Sequence, residues 1–255
     1  MNLTNKRILI TRPRAQAGEF ANALIAACAH PIFFPVIQIV PLNDFSDLDS
    51  ALLKIHTYDW LILTSVHGVD VFFNRLGTLG LKHVPEGLRV AAIGSKTASC
   101  LSQHGVIARF FPTEYIAEAI LPGLGEDLSG KRFLLPQSDL ARTTLASEIR
   151  SAGGVVDEVV AYRTVQSQPD TSEMNALCAG VDIITFTSPS AVHNFVNIVR
   201  NNSLDPLNLP GTPLFACIGP VTKKAAEEMS FCDLVVANEH TTVGLIEAIS
   251  KLVQS

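Results

Sequence analysis

The chain is poor in the residues from which most chemistry-bearing motifs are built. Its five cysteines, Cys28, Cys100, Cys178, Cys217 and Cys232, are odd in number and include no C-x-x-C pair. That excludes a disulfide scaffold and points to a reduced, cytoplasmic protein with small buried thiols. The seven histidines show no metal-ligand spacing and no clustering with cysteine, so no metal is expected. No G-x-G-x-x-G follows an apolar run and no G-x-S-x-G is present, which removes the signatures of dinucleotide folds and hydrolase elbows. Residues 125–132, Gly-Glu-Asp-Leu-Ser-Gly-Lys-Arg, nearly spell a phosphate-binding loop. Arg132 stands where that loop needs Ser or Thr, and the segment precedes a strand pattern instead of following one. No cofactor is expected.

Long hydrophobic runs are also missing. No stretch of 18 apolar residues could span a membrane, and the first seven residues lack the apolar core of a secretion signal. Neither membrane nor nucleic acid is an expected partner, because a net charge of −5 gives no positive field for a polyanion. A small anionic ligand remains compatible, since a few local donors outweigh distant carboxylates.

What is present is a repeat. Lys6-Arg7-Ile8-Leu9-Ile10-Thr11 returns as Lys131-Arg132-Phe133-Leu134-Leu135-Pro136. Tyr58-Asp59-Trp60-Leu61-Ile62-Leu63-Thr64-Ser65 returns as Val181-Asp182-Ile183-Ile184-Thr185-Phe186-Thr187-Ser188. Ala92-Ile93-Gly94-Ser95-Lys96-Thr97 returns as Cys217-Ile218-Gly219-Pro220-Val221-Thr222. Three matches in register imply two copies of one unit and a cleft between two similar domains. At 255 residues and 47% hydrophobic content, the chain can build two cores of roughly 100–130 residues each.

Short apolar runs alternate with amphipathic segments. Residues 8–10, 32–34, 60–63, 90–93, 133–135, 155–160, 183–186, 214–218 and 234–236 read as strands. Residues 15–29, 66–76, 95–104, 142–152, 191–200, 221–229 and 243–253 read as helices, with proline near the first turn at Pro13, Pro189 and Pro220. Continuous apolar strands alternating with helices predict an α/β protein of doubly wound parallel sheets. The repeated pieces occur in the order 1–38, 58–122, 131–163 and 181–252. Either neighbouring pieces pair as tandem domains, or residues 1–38 and 164–255 form one domain around an inserted domain at 43–160. The second arrangement puts chain crossings near 36–42 and 159–165, both extended and β-branched enough to pair as a two-stranded ribbon. The repeat alone leaves both open, and the crossings favour the second.

In such sheets ligands sit beyond the carboxyl ends of the strands, against helix N-termini. The residues there are Thr11-Arg12-Pro13-Arg14, Thr64-Ser65-Val66-His67-Gly68, Gly94-Ser95-Lys96-Thr97, Pro136-Gln137-Ser138-Asp139, Thr187-Ser188-Pro189-Ser190 and Gly219-Pro220-Val221-Thr222. Any one hydroxyl reads as an ordinary N-cap. Six such ends together point to carboxylate or phosphate binding. Tyr162, one of three tyrosines, lies in the second crossing. A phenol there donates a hydrogen bond at neutral pH without a shifted pKa; otherwise it packs the hinge.

These motifs, with Ala161-Tyr162-Arg163-Thr164 and Phe186-Thr187-Ser188-Pro189-Ser190-Ala191-Val192, resemble the uroporphyrinogen-III synthase family along essentially the whole chain. His67 departs from the pattern, standing where the family commonly has Asn. The resemblance implies the discontinuous arrangement: two similar flavodoxin-like domains joined by a ribbon. It implies cyclisation of the linear tetrapyrrole hydroxymethylbilane, with inversion of the last pyrrole ring and loss of water. A substrate with eight carboxylates fits hydroxyl-rich strand ends. On this reading Tyr162 assists departure of the hydroxyl, and Thr11, Arg12, Ser65, Gly94, Thr97, Thr187, Ser188, Ser190 and Thr222 contact the substrate. A monomer is expected, with hydroxymethylbilane synthase as its pathway neighbour. The rival from the residues alone is a non-catalytic two-lobed binding protein for a small anion. A phosphosugar enzyme fits less well, because no acidic pair or lysine base stands at a strand end.

Overall fold

A computed structural model describes residues 3–110, 117–125, 127–141 and 143–253. Its first elements are β1 (Arg7–Ile10), α1 (Arg14–Ala26), β2 (His30–Phe33), β3 (Ile37–Pro41), α2 (Ser46–Leu53), β4 (Trp60–Leu63) and α3 (Val66–Thr78). Next come β5 (Arg89–Ala92), α4 (Ser95–Gln103), α5 (Ala117–Leu124), β6 (Arg132–Ser138), α6 (Thr144–Ser151), β7 (Val155–Gln166) and α7 (Thr171–Cys178). The last are β8 (Ile183–Phe186), α8 (Pro189–Asn201), β9 (Leu214–Cys217), α9 (Pro220–Glu228), β10 (Leu234–Val236) and α10 (Thr242–Val253).

The backbone divides into two compact units, Met1–Gln38 with Val165–Ser255, and Ile39–Thr164. The first unit holds a sheet in the order β10-β9-β8-β1-β2, parallel throughout. Taken from the β2 edge, its strands run second, first, third, fourth, fifth in chain order, which is the flavodoxin-like arrangement. The second unit's sheet runs β3-β7-β6-β4-β5, parallel from β7 to β5. Here β7-β6-β4-β5 places the equivalents of β2, β1, β8 and β9 in the same spatial order, though permuted in chain order, and a parallel bridge from Ala91 to Phe110 takes the fifth place. The strands expected to form the ribbon are β3 and the outer half of β7, which are neighbours in this sheet.

The cores follow from period-two alternation on strands covered on both faces. Strand β1 sends Leu9 into one apolar cluster and Ile8 and Ile10 into the opposite one. Strand β4 sends Leu61 and Leu63 one way and Trp60 and Ile62 the other. Every residue of β4 and of β8 is buried. The repeat extends to hydrogen bonding at the start of the strands. Asp182 accepts the Arg7 backbone N–H at 2.8 Å, and Asp59 accepts that of Arg132 at 2.8 Å. The aspartate shared by the two copies therefore clips the first residue of the neighbouring strand, a structural duty.

Several boundaries differ from the sequence expectations. Helix α1 stops at Ala26, three residues early, because the chain turns left-handed at Cys28 (φ 64°). Strand β7 runs on to Gln166, past the expected end at Val160. The helix expected from Arg142 begins at Thr144, and Arg142 itself lies outside the described residues. Helices α2, α5 and α7 had no counterpart in the sequence expectations. Helix α7 starts with a capping box, Asp170 accepting the Glu173 N–H while Glu173 accepts that of Asp170.

Candidate active site

The second unit builds its site from a strand irregularity and a helix cap. Along β6 and β7 the partners run in register to Gln137 and Val160, and then Ser138 faces Tyr162. Ala161 is the extra residue of a bulge, which re-aims the side chain that follows it. Without the bulge, Ala161 and Tyr162 would point to opposite faces. With it, Val159, Ala161 and Tyr162 all join one apolar cluster. Tyr162 is 7% exposed, and its hydroxyl lies 2.9 Å from Ser65 Oγ.

Ser65 ends the turn from β4 into α3. Its extended backbone makes it the N-cap, and its Oγ accepts the Gly68 N–H at 2.9 Å. One Ser65 lone pair is thus engaged by the helix, and the remaining hydroxyl functions face the phenol. Tyr162 and Ser65 own two protons and need one for their mutual bond, so one O–H of the pair is always left for a third group. The turn after β6 braces this arrangement. Asp139 donates its N–H to the Tyr162 carbonyl at 3.1 Å, its carboxylate accepts the Thr164 N–H at 2.9 Å, and Ser138 Oγ meets Thr164 Oγ1 at 2.9 Å. The Tyr162 pKa is raised, chiefly by burial; the Ser65 hydrogen bond opposes that and the Asp139 charge adds to it. The phenol therefore stays protonated and keeps an O–H to donate. The ring of His67, in the first turn of α3, lies 6.1 Å from that of Tyr162, centroid to centroid.

Gly94 and Thr97 open α4. Gly94 is the N-cap at φ 85°, a left-handed conformation that suits glycine, and no side chain caps this helix. Thr97 is 2% exposed, and among the described residues its hydroxyl has no hydrogen-bond partner.

In the first unit, Ser188 caps α8 as Ser65 caps α3, accepting the Ala191 N–H at 3.2 Å, and its Oγ lies 3.0 Å from that of Ser190. Thr187 is half-buried beside it and Ser190 is exposed. Helix α9 opens after Gly219 with no side-chain cap, and Thr222 in its first turn is 3% exposed. Its hydroxyl too has no hydrogen-bond partner among the described residues. The ring of His240 closes on Gly219, so a Cβ there would meet it at 3.0 Å. Arg12 is half-buried at the end of β1, with Nη2 3.4 Å from Gln16 Oε1. Burial lowers its pKa and the Glu19 charge opposes the shift; a guanidinium remains a cation.

Thr11, also expected among the substrate contacts, lies inside the first unit. It is fully buried, and its hydroxyl donates to the Thr185 carbonyl at 2.6 Å while Thr185 donates to the Leu9 carbonyl at 2.8 Å. Its one proton is spent in tying β1 to β8, so it has none for a ligand. Sequence reasoning also passed over Asp139, Ser138 and Thr164 as the brace behind Tyr162, although Ser138 and Asp139 stand at a strand end where such a role could be sought.

The family model for uroporphyrinogen-III synthase HemD matches residues 18–247. The chain belongs to the uroporphyrinogen-III synthase family. It is 33% identical over 254 residues to the uroporphyrinogen-III synthase of Synechococcus elongatus, an alignment covering 98% of this chain and 96% of that family member. Among solved structures, the fold is similar to a mutant uroporphyrinogen III synthase of the extremely thermophilic bacterium Thermus thermophilus, with a TM-score of 0.63 at 19% identity, covering 98% of this chain and 99% of that one. The uroporphyrinogen-III synthetase of Helicobacter pylori gives a TM-score of 0.61 at 17% identity, covering 98% and 100%. At those identities the family likeness is one of fold. No helix among the described residues is long and apolar enough to cross a membrane.

Proposed function

We propose that Tyr162 and Ser65 carry, in this chain, the reaction of its family: cyclisation of hydroxymethylbilane to uroporphyrinogen III with loss of water. The activity is that of a lyase of porphyrin and haem biosynthesis acting on a tetrapyrrole. The observation that supports the assignment of residues is the 2.9 Å contact of a buried, protonated phenol with a hydroxyl that already caps a helix. The pair offers one O–H to the terminal hydroxyl of the substrate. As the C–O bond breaks, that hydrogen bond stabilises the developing negative charge on the departing oxygen. The oxygen leaves as water with the proton of the pyrrole nitrogen, the substituted carbon of the far ring attacks the azafulvene methylene left behind, and the spiro intermediate opens and recloses with that ring inverted. A phenol whose pKa is raised donates a hydrogen bond without giving up its proton, which suits a leaving group expelled by an electron-rich pyrrole.

Thr97 and Thr222, with the uncapped helix starts at Gly94 and Gly219, are proposed to accept substrate carboxylates. Arg12, Thr187, Ser188 and Ser190 are proposed as further donors. Their task is orientation, holding a flexible chain so that closure without inversion is the slower path. Thr11 contributes indirectly, by holding the end of β1. We also infer a monomer that takes up the product of hydroxymethylbilane synthase; sedimentation of the free protein as one species of single-chain mass is the expected result. A double-mutant cycle of Tyr162→Phe and Ser65→Ala tests the pair. Strongly non-additive losses in kcat are expected, and additive ones would separate the two roles.

A further inference from the structure

Sequence spacing pointed to no cysteine–histidine cluster, and the fold corrects this. Cys100 lies on α4 and His104 follows the end of that helix four residues on, so both side chains fall on one face. That face meets α3, where Asp70 points back at them. Asp70 Oδ1 lies 3.6 Å from Cys100 Sγ and 3.9 Å from His104 Nε2, and the three ligand atoms fall within 4.8 Å of one another. We propose that Asp70, Cys100 and His104 form a binding site for a thiophilic divalent transition-metal ion of the zinc or cobalt class.

The distances fit this reading. Zinc bonds of about 2.3 Å to sulfur and about 2.0–2.2 Å to oxygen or nitrogen, set at a tetrahedral angle, need an S···O edge of about 3.5 Å and an N···O edge of about 3.4 Å. The two edges to Asp70, 3.6 and 3.9 Å, stand near these values, and the Cys100–His104 edge, within 4.8 Å, closes as the ion binds. The donor set of one thiolate, one imidazole and one carboxylate is that of a borderline-soft ion and not of magnesium or calcium. The cluster also has a supporting shell. The His104 ring stacks on Phe73 with centroids 4.2 Å apart and planes 3° from parallel, which fixes its orientation. Cys100 is 8% exposed while His104 is open to solvent and lines a cavity of about 740 Å³ with Phe73, Lys82 and His83. The His104 side of the cluster is thus open to an approaching ion.

Binding takes Cys100 as the thiolate, so its proton passes to solvent as the ion enters. Asp70 and Cys100 sit one turn behind Ser65 and Thr97 on the same two helices. An ion at this site would pin the helices whose first turns carry those hydroxyls, a supporting role and not a chemical one.

The test is titration of the reduced full chain with cobalt(II) alone. The expected result is a thiolate-to-cobalt charge-transfer absorption saturating at one ion per chain. It should be lost in Cys100→Ser and its midpoint should move at least tenfold higher in Asp70→Asn, an accessible substitution that spares the core. It should persist in Cys232→Ser, which alters an exposed thiol elsewhere. Absence of the band overturns the proposal. So does a band unaffected by Cys100→Ser, which would put the ion on the exposed thiols of Cys28, Cys178 or Cys232, or a midpoint unmoved in Asp70→Asn, which would remove the carboxylate from the site.

Discussion

Replacing Tyr162 by Phe removes one oxygen from the centre of the candidate site and little else. The ring keeps its place in the apolar cluster beside Val159 and Ala161, so no cavity forms. Ser65 keeps its cap on Gly68, and because Ser65 is only half-buried water can replace the phenol as its partner. The stability cost is that of one neutral hydrogen bond, about 0.5–1.5 kcal/mol. Turnover should fall much further. An aligned donor facing charge that develops only in the transition state is worth about 1.4–4 kcal/mol, which is about ten- to a thousand-fold in kcat. KM should change less, because the bond strengthens as the hydroxyl leaves and is weak to the bound substrate. The assay is the initial rate of uroporphyrinogen III formation from hydroxymethylbilane, with thermal unfolding measured in parallel. A variant that unfolds within a few degrees of wild type and turns over at the wild-type rate would refute the reasoning and leave Tyr162 as packing.

Two further substitutions separate binding from folding. Thr222→Ala should weaken tetrapyrrole binding while costing at most about 1 kcal/mol of stability, the worth of one buried methyl group; a stability loss with unchanged affinity would make Thr222 purely structural. Asp182→Ala should cost about 1–2 kcal/mol by leaving the Arg7 N–H unpaired, since the ion pair of Asp182 with Lys6, each 37% exposed, adds little. Burial raises the Asp182 pKa, but the Arg7 N–H and Lys6 outweigh it and leave the value lowered. Its stabilisation is therefore full above the unfolded pKa of about 4 and is lost as pH falls through the lower folded value. The gap between wild type and variant in urea denaturation should shrink on acidification, and a gap independent of pH would remove the charge from the account.

The fold was legible where the sequence speaks in long-range pattern. The all-apolar runs at Trp60–Leu63 and Ile183–Phe186 are buried on both faces as parallel strands require, and the shared Asp59 and Asp182 mark equivalent strand starts. The site was less legible, because hydroxyls look alike in one dimension. Thr11 and Thr97 both follow strands, yet register spends the first on the Thr185 carbonyl and leaves the second unpartnered among the described residues. The bulge at Ala161 leaves no mark in Val159-Val160-Ala161-Tyr162, which reads as an unbroken strand. Its effect depends on the pairing with β6. Helix α7 could have been found from Asp170-x-x-Glu173. Helix α5 carries Pro122 in its interior, which argues against a helix locally and is overridden by packing of Ile120 and Leu124 into the core.

The central claim is that this chain directs the closure of hydroxymethylbilane. The most direct measurement is to supply the purified protein with that substrate, oxidise the products and separate the isomers of the macrocycle. The account predicts that the isomer with the inverted ring dominates and that its rate of appearance rises in proportion to protein. Formation of only the uninverted isomer, at the rate seen without protein, would contradict it.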